Sequence, residues 1–145
     1  MKTEVTTPND LEIRLERVFD APRERVFAIW TDPELIPKWW GDGTVVEEMD
    51  VRNGGRYRFR TANGVLAGDF HEVVPPERIV QTFMNHVQTL EFEDLGDRTK
   101  LTQTMRFETS EARDQTMQYG VEAGAEAGFE RIDAVLESFG TAAAS

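Results

Sequence analysis

The sequence contains no cysteine and only two histidines, His71 and His86. The lack of cysteine excludes disulfides, thiolate nucleophiles and zinc sites built from thiolates, and neither histidine belongs to a His-Glu-x-x-His pattern. No phosphate-binding loop or metal-ligand cluster is evident, so we expect no cofactor and no metal. An apolar run long enough for a membrane helix, about 18 residues, is also absent. The opening residues MKTEVTTPNDLE lack the apolar stretch of a signal peptide, which predicts a cytoplasmic protein.

Basic residues are scarce as well. The chain has 16 lysines and arginines against 27 aspartates and glutamates, which gives a net charge of −11. Proteins that bind nucleic acid or anionic membrane surfaces need clustered basic side chains to displace counterions. The composition therefore argues against both classes of partner, and we interpret the acidic surface as serving solubility.

The 145 residues suffice for one domain but not for two ordinary ones. Hydrophobic residues make up 39% of the chain, including nine phenylalanines and three tryptophans, which argues against disorder. We expect residues 1–10 to form a polar N-terminal extension, residues 11–139 a single domain and residues 140–145 a frayed tail.

The predicted domain begins with a strand followed by two short helices. Apolar and polar residues alternate along 11–19, as in a half-buried strand, although Arg17 interrupts the inward row. Asp20 is the predicted N-cap of the first helix and Asp32 that of the second. Pro37 is predicted to kink or end the second helix.

Six more strands are predicted, separated by turns such as Asn53-Gly54-Gly55 and Asn63-Gly64, which are typical of hairpins. Their predicted bounds are 44–52, 56–61, 65–74, 78–84, 87–94 and 98–107. One long helix follows, with Ser110 as its N-cap and an end at Phe139 before Gly140. An antiparallel sheet covered by this helix is an α+β architecture.

One stripe of the long helix contains glycines. At helical spacing it comprises Met117, Val121, Gly124, Gly128, Ile132, Val135 and Phe139, with Gly120 beside it. Each glycine inside a helix costs about 1 kcal/mol relative to alanine. Two interpretations stay open: the helix backbone packs closely on the sheet, or the missing side chains leave a cavity.

All three tryptophans lie within residues 30–43. Their rings could fill a minor core, or they could line an apolar chamber beside the glycine stripe. The two features together favour a pocket for a small apolar ligand, either lipid-like or aromatic. The predicted lining residues are Trp30, Trp39, Trp40, Tyr57, Phe59, Phe83, Met117, Val121 and Gly124.

Several motifs carry a resemblance to a known family. DAPRERVFAIWTDPELIPKWWG, MDVRNGGRYRF, GDFHEVVPPERIV and FEDLGDRTKLT resemble the SRPBCC (START-like, Bet v 1-like) superfamily, in the branch of heat-shock-protein-90 ATPase activator homologues with a single domain. The resemblance covers roughly residues 11–139. It implies a helix-grip fold, in which a curved antiparallel sheet wraps around a long C-terminal helix and encloses a cavity. Superfamily members bind lipids, sterols, polyketides or hormones, and some are cyclases or hydrolases.

Polar residues that could act in such a cavity are few. The candidates are His86, Asp50, Arg52, Glu72, Gln81 and Gln103. His86 follows Asn85 in a predicted turn, where an exposed histidine is ordinary. Asp50 and Arg52 fit a structural ion pair better than a catalytic one. His71 is expected to face solvent, because Phe70 is the inward residue.

The first hypothesis is therefore a binding protein for a small hydrophobic ligand, and catalysis is less favoured. The first alternative is an enzyme, cyclase-like or hydrolase-like, acting on a polyketide-like or other cyclic apolar substrate. The second is a module that contacts a chaperone, as the name of the branch suggests. The sequence leaves open whether the protein is a monomer or a homodimer.

Overall fold

The computed structural model describes residues 2–41 and 43–144. Within them the chain forms eight strands and four helices. In chain order these are β1 (Glu4–Asn9), β2 (Glu12–Phe19), α1 (Arg23–Thr31), α2 (Ile36–Trp40), β3 (Val45–Met49), β4 (Arg56–Thr61), β5 (Gly64–Val74), β6 (Arg78–Phe83), β7 (His86–Asp94), β8 (Thr99–Phe107), α3 (Ser110–Gln118) and α4 (Val121–Ala144).

The strands form one antiparallel sheet in the order β1-β2-β8-β7-β6-β5-β4-β3. Successive strands pair through hairpins, except that β2 pairs with β8, where Ile13 lies opposite Met105 and Phe19 opposite Thr99. Because of this pairing, the first predicted strand lies next to the last one in the sheet. Helices α1 and α2 connect β2 to β3. The curved sheet with a long C-terminal helix confirms the predicted α+β helix-grip fold.

The N-terminal residues differ from their prediction. The predicted polar extension contains strand β1, which pairs with β2 through Val5 opposite Leu15 and Glu4 opposite Glu16. Val5 is half-buried against the core. With one apolar residue in six, β1 has almost no alternating pattern, and its main-chain pairing with the edge of β2 decides its conformation.

The prediction that Asp20 caps the first helix is wrong. Helix α1 begins at Arg23 with Pro22 at the N-cap position, and no side chain accepts a capping hydrogen bond there. Asp20 instead lies 3.4 Å from Arg98 in an exposed ion pair. Proline fixes φ near the value needed just before a helix, so the chain can start the helix without a side-chain cap.

The start of the second helix also differs. Asp32 accepts a hydrogen bond from the backbone N–H of Glu34, at 2.9 Å, and so stabilises a turn before the helix. Helix α2 begins only at Ile36, and Pro37 lies in its first turn. A proline in the first turn removes no helical hydrogen bond, so Pro37 neither kinks nor ends α2.

The predicted single long helix is broken into α3 and α4. Gly120 has φ +83° and its N–H bonds to the carbonyl of Met117, at 3.2 Å, which ends α3. A left-handed glycine is the usual residue just after a helix. The N-cap of α3 is Thr109, whose hydroxyl accepts from the N–H of Ala112 at 3.1 Å, and not Ser110.

Helix α4 continues to Ala144, beyond the predicted end at Phe139. The residues after Gly140 are mostly alanine, which has the highest helix propensity, and the glycine alone does not stop the helix. Ser145, the last residue of the predicted tail, lies outside the described residues.

An ion pair with a buried arginine and a partly exposed aspartate joins the sheet to α4. Arg17, which interrupts the inward row of β2, is 3% exposed. Its guanidinium donates to both carboxylate oxygens of Asp133 on α4, at 2.9 and 2.5 Å, and lies 4.7 Å from the ring centre of Phe19. Bidentate pairing and stacking on an aromatic face both suit a guanidinium, which explains how the core accommodates this charge.

We expect Asp133→Asn to lower the free energy of unfolding by about 3 kcal/mol, because a buried guanidinium then loses its counter-charge. Urea denaturation followed by circular dichroism measures the change. The matched control is Asp20→Asn, which removes the partner of Arg98 on the surface and should cost less than about 1 kcal/mol. Equal losses in the two variants would contradict this role of the Arg17–Asp133 pair.

Candidate functional site

A cavity of about 780 Å³ lies between the sheet and the two C-terminal helices. Side chains of β7 and β8 form one wall, and α3 with the first half of α4 forms the other. One end is closed by aromatic residues from α1, α2 and β6. This volume falls in the range of cavities that enclose drug-sized ligands, which is roughly 300–1,000 Å³.

Two glycines of α4, Gly124 and Gly128, lie in the cavity wall. A Cβ atom added at either position would meet nothing within 4 Å. Close packing of the helix backbone on the sheet therefore does not explain these glycines, and the interpretation that they leave a cavity is supported. Gly120 serves a different purpose, because it ends α3 outside the helical stripe.

The aromatic end of the cavity is a continuous row of rings. The ring centres of Trp30 and Trp39 are 5.5 Å apart, those of Trp39 and Trp40 are 5.6 Å apart, and those of Trp40 and Phe83 are 5.7 Å apart. The indole N–H of Trp39 donates to the carbonyl of Ile29 at 3.0 Å. Because that polar group has its partner within the protein, Trp39 adds apolar surface to the cavity wall without leaving a donor unpaired.

The wall formed by the sheet contains a pair of glutamines. The side-chain amide of Gln103 on β8 donates to the side-chain carbonyl of Gln88 on β7, at 2.7 Å. Gln88 is 5% exposed, and both residues line the cavity. Gln103 is among the polar candidates predicted from the sequence, whereas Gln88 is not. Gln88 lies two residues before the buried Leu90, so the alternation of a strand predicts that it faces inward.

His86 belongs to the cavity wall rather than to an exposed turn, contrary to the prediction. It is the first residue of β7, half-buried with its ring centre 5.6 Å from that of Phe83 and 4.9 Å from that of Phe107. Burial lowers the pKa of His86 to about 4, although a contact with Gln88 acts in the opposite direction. The imidazole is thus neutral at pH 7 and is a weak base. Its buried Nε2 has no hydrogen-bond partner among the described residues.

The structure brings six of the nine predicted lining residues together at the cavity, and ligand contact by them stays a prediction. These are Trp30, Trp39, Trp40, Phe83, Val121 and Gly124. Tyr57, Phe59 and Met117 lie elsewhere. Tyr57 and Phe59 are the buried residues of β4 and belong to the core. The Tyr57 hydroxyl donates to the carbonyl of Thr82 at 2.5 Å, and burial raises the pKa of Tyr57 to about 12. Met117 packs half-buried against the core.

The remaining polar candidates do not reach the cavity. Arg52 and Asp50 form an exposed ion pair of 2.7 Å, just after β3. Glu72 pairs with Arg78 on the surface at 3.2 Å. Gln81 is buried on β6 but is not part of the cavity wall. His71 is exposed on β5, as predicted.

Other lining residues were not foreseen from the sequence. They are Leu15, Met84, Asn85, Met105, Ala112, Gln115, Thr116, Tyr119, Ala125, Phe129 and Arg131. Most lie on α3, on α4 or in the turn between β6 and β7, and their position depends on where α3 ends.

In the described ranges, no group of three or more histidines and acidic residues could hold a metal ion. None of the described helices is long and apolar enough to cross a membrane.

The sequence and the fold resemble known proteins. A family model described as "Activator of Hsp90 ATPase homolog 1-like protein" matches residues 20–137. A solved structure from Rhodobacter sphaeroides is similar with a TM-score of 0.84 at 23% identity, covering 94% of this chain and 99% of that one. One from Mycobacterium smegmatis has a TM-score of 0.81 at 26% identity, covering 94% and 98%. An HSP90 activator from Plasmodium falciparum has a TM-score of 0.58 at 24% identity, covering 66% and 72%. No curated protein matches.

We expect Gly128→Ala to raise the free energy of unfolding by about 1 kcal/mol, because alanine favours the helix and its Cβ enters open space. Urea denaturation measures the change. Gly68→Ala is the matched control, since a Cβ there would lie 2.6 Å from the carbonyl oxygen of Thr82, and this variant should be less stable. A loss of stability in Gly128→Ala would contradict an open cavity beside α4.

The buried imidazole predicts a pH dependence. The pKa of His86 is about 4 in the folded protein against 6.5 for the free side chain. The unfolded chain therefore binds a proton that the folded protein does not, and the free energy of unfolding should fall as the pH falls from 6.5 towards 4. His86→Phe should flatten this dependence when urea denaturation is compared at pH 7 and pH 5. His71→Gln controls for loss of an exposed imidazole, and an unchanged slope in His86→Phe would count against the assignment.

Proposed function

The chain belongs to the family of activator of Hsp90 ATPase homolog 1-like proteins, and from that premise we propose that it binds a small, largely apolar ligand between the sheet and α4. One observation carries the proposal: Gly124 and Gly128 face open space. Glycine inside a helix costs stability, and here no neighbouring backbone requires it. A cavity kept open at such a cost is best explained by a molecule that occupies it.

The chemistry of the walls supports the same class of ligand. Tryptophan and phenylalanine rings close one end, and Leu15, Met105 and Phe129 add further apolar surface. Moving apolar ligand surface from water to such a site gains about 25 cal/mol per Å². The ligand is lipid-like or aromatic, and its polar atoms are few.

The rim of the cavity suits the entry of such a molecule. Met84 is 76% exposed and Tyr119 is 88% exposed, and both border the cavity. Tyr119 lies at the break between α3 and α4. Large apolar side chains at the mouth of a cavity offer an apolar molecule its first contacts.

The enzyme alternative has weaker support. His86 is the only histidine in the described cavity wall, and a pKa of about 4 makes it a weak general base at neutral pH. Contact with a chaperone is suggested by the description of the family and stays a prediction.

The test of the proposal is native mass spectrometry of the protein purified from its natural host, before and after solvent extraction. We expect an adduct of small mass that leaves on extraction. Gly124→Leu, which places a large side chain in the cavity, should abolish the adduct while circular dichroism shows a folded protein. The matched control is Ala134→Leu, at an exposed position of α4, which should keep the adduct.

A bare polypeptide mass in the wild-type protein would contradict the proposal. Retention of the adduct by Gly124→Leu would place the ligand outside this cavity.

A further inference from the structure

The polar side chains in the cavity wall restrict which apolar ligand can bind. A pure hydrocarbon pressed against Gln88 and Gln103 would remove water from their amide groups without replacing its hydrogen bonds. A buried polar group left without a partner costs about 1–3 kcal/mol. The cavity therefore favours a ligand that carries a hydrogen-bonding group at this point.

The hydrogen bond between the two glutamines determines what they can offer. It uses one amide hydrogen of Gln103 and the carbonyl oxygen of Gln88. The carbonyl oxygen of Gln103 and the amide nitrogen of Gln88 make no second hydrogen bond of normal geometry between described residues, and the side chain of Gln88 also contacts His86. One acceptor and one donor are thus held side by side. A hydroxyl group, which donates and accepts at once, complements this pair.

His86 lies beside this pair without adding a hydrogen-bonding group to it. Its side chain lines the cavity on the strand that also carries Gln88, but its Nε2 has almost no accessible surface. Because the imidazole is neutral, it adds no charge to this part of the wall. Two uncharged polar side chains, one from β7 and one from β8, therefore face the ligand.

Charge is nearly absent from this cavity, although the chain has 27 acidic residues. The described lining residues include no aspartate or glutamate, and Arg131 is their single charged member. Arg131 is exposed, and its guanidinium donates to the carbonyl of Trp39 at 3.5 Å. An ionised ligand group placed beside the glutamines would lose its water without gaining a counter-ion, which is costly.

We propose that the ligand is an uncharged molecule with an apolar, ring-containing body and a hydroxyl group, the body lying against the tryptophans and the hydroxyl against Gln88 and Gln103. This inference rests on the proposed function and narrows its ligand class. It separates the ligand from hydrocarbons, from fatty acids and from cations.

Three fluorescent probes that share one ring system test the inference: pyrene, 1-hydroxypyrene and 1-pyrenecarboxylate, titrated at pH 7 into the full-length protein after solvent extraction. We expect 1-hydroxypyrene to bind about tenfold more tightly than either of the others, which corresponds to one satisfied hydrogen bond.

In the double variant Gln88→Leu/Gln103→Leu, this preference for 1-hydroxypyrene over pyrene should disappear. Removal of both partners leaves no amide unpaired, so the variant should fold. Gln118→Leu, exposed on α3 and outside the cavity wall, should keep the preference.

The outcomes separate this inference from the proposed function. Equal affinity for pyrene and 1-hydroxypyrene, or tightest binding of 1-pyrenecarboxylate, would overturn the inference and leave ligand binding intact. A preference for 1-hydroxypyrene that survives in the folded double variant would overturn the role of the glutamines. If no probe binds, the proposed function fails and the inference fails with it. The ranking in the wild-type protein decides the case even if the double variant does not fold.

Discussion

Helix α4 is held against the sheet at one end and kept away from it at the other, and the rest of the structure depends on this arrangement. The Arg17–Asp133 ion pair fixes the contact in the middle of the helix. Ile132 beside it, and Val135 and Leu136 beyond it, are buried in the core. An ion pair offsets the loss of water from its charges only when its geometry is well defined. The Arg17–Asp133 pair therefore allows α4 a smaller range of positions on the sheet than apolar contacts alone would allow.

Towards the opposite end of α4, two positions in the cavity wall are glycines, which leave the space beside them unfilled. Gly124 and Gly128 present only backbone there, while α3 and α4 meet at the break beside Gly120. The tertiary fold thus separates two properties along a single helix: its second half stabilises the domain, and its first half bounds a cavity. Glycine lowers helix propensity, and the apolar contacts of the second half offset that cost.

The chemistry of the cavity follows from the strands opposite the helix. Inward positions of β7 and β8 are mostly apolar, as in any half-buried sheet, but Gln88 and Gln103 replace apolar residues at neighbouring positions and bond to each other. The pair keeps a polar site in an apolar wall without introducing charge. The fold is shared with structures at 23–26% identity, so the fold itself does not specify the ligand, and these side chains are where specificity can arise.

The sequence by itself determined the fold class, most strands and their turns, because alternation and Asn-Gly pairs are local signals: Asn63-Gly64 joins β4 to β5 as predicted. It also indicated the cavity through glycines at helical spacing and clustered tryptophans.

Only the tertiary structure decided the rest. Strand β1 follows the edge of β2 rather than its own pattern, and the break at Gly120 needs a backbone conformation that a helical wheel does not show. His86 is neutral because Phe83 and Phe107 remove it from water, and Tyr57 and Phe59 belong to the core rather than the cavity. Each of these outcomes depends on contacts between different elements of the fold, and a local pattern does not specify which elements meet.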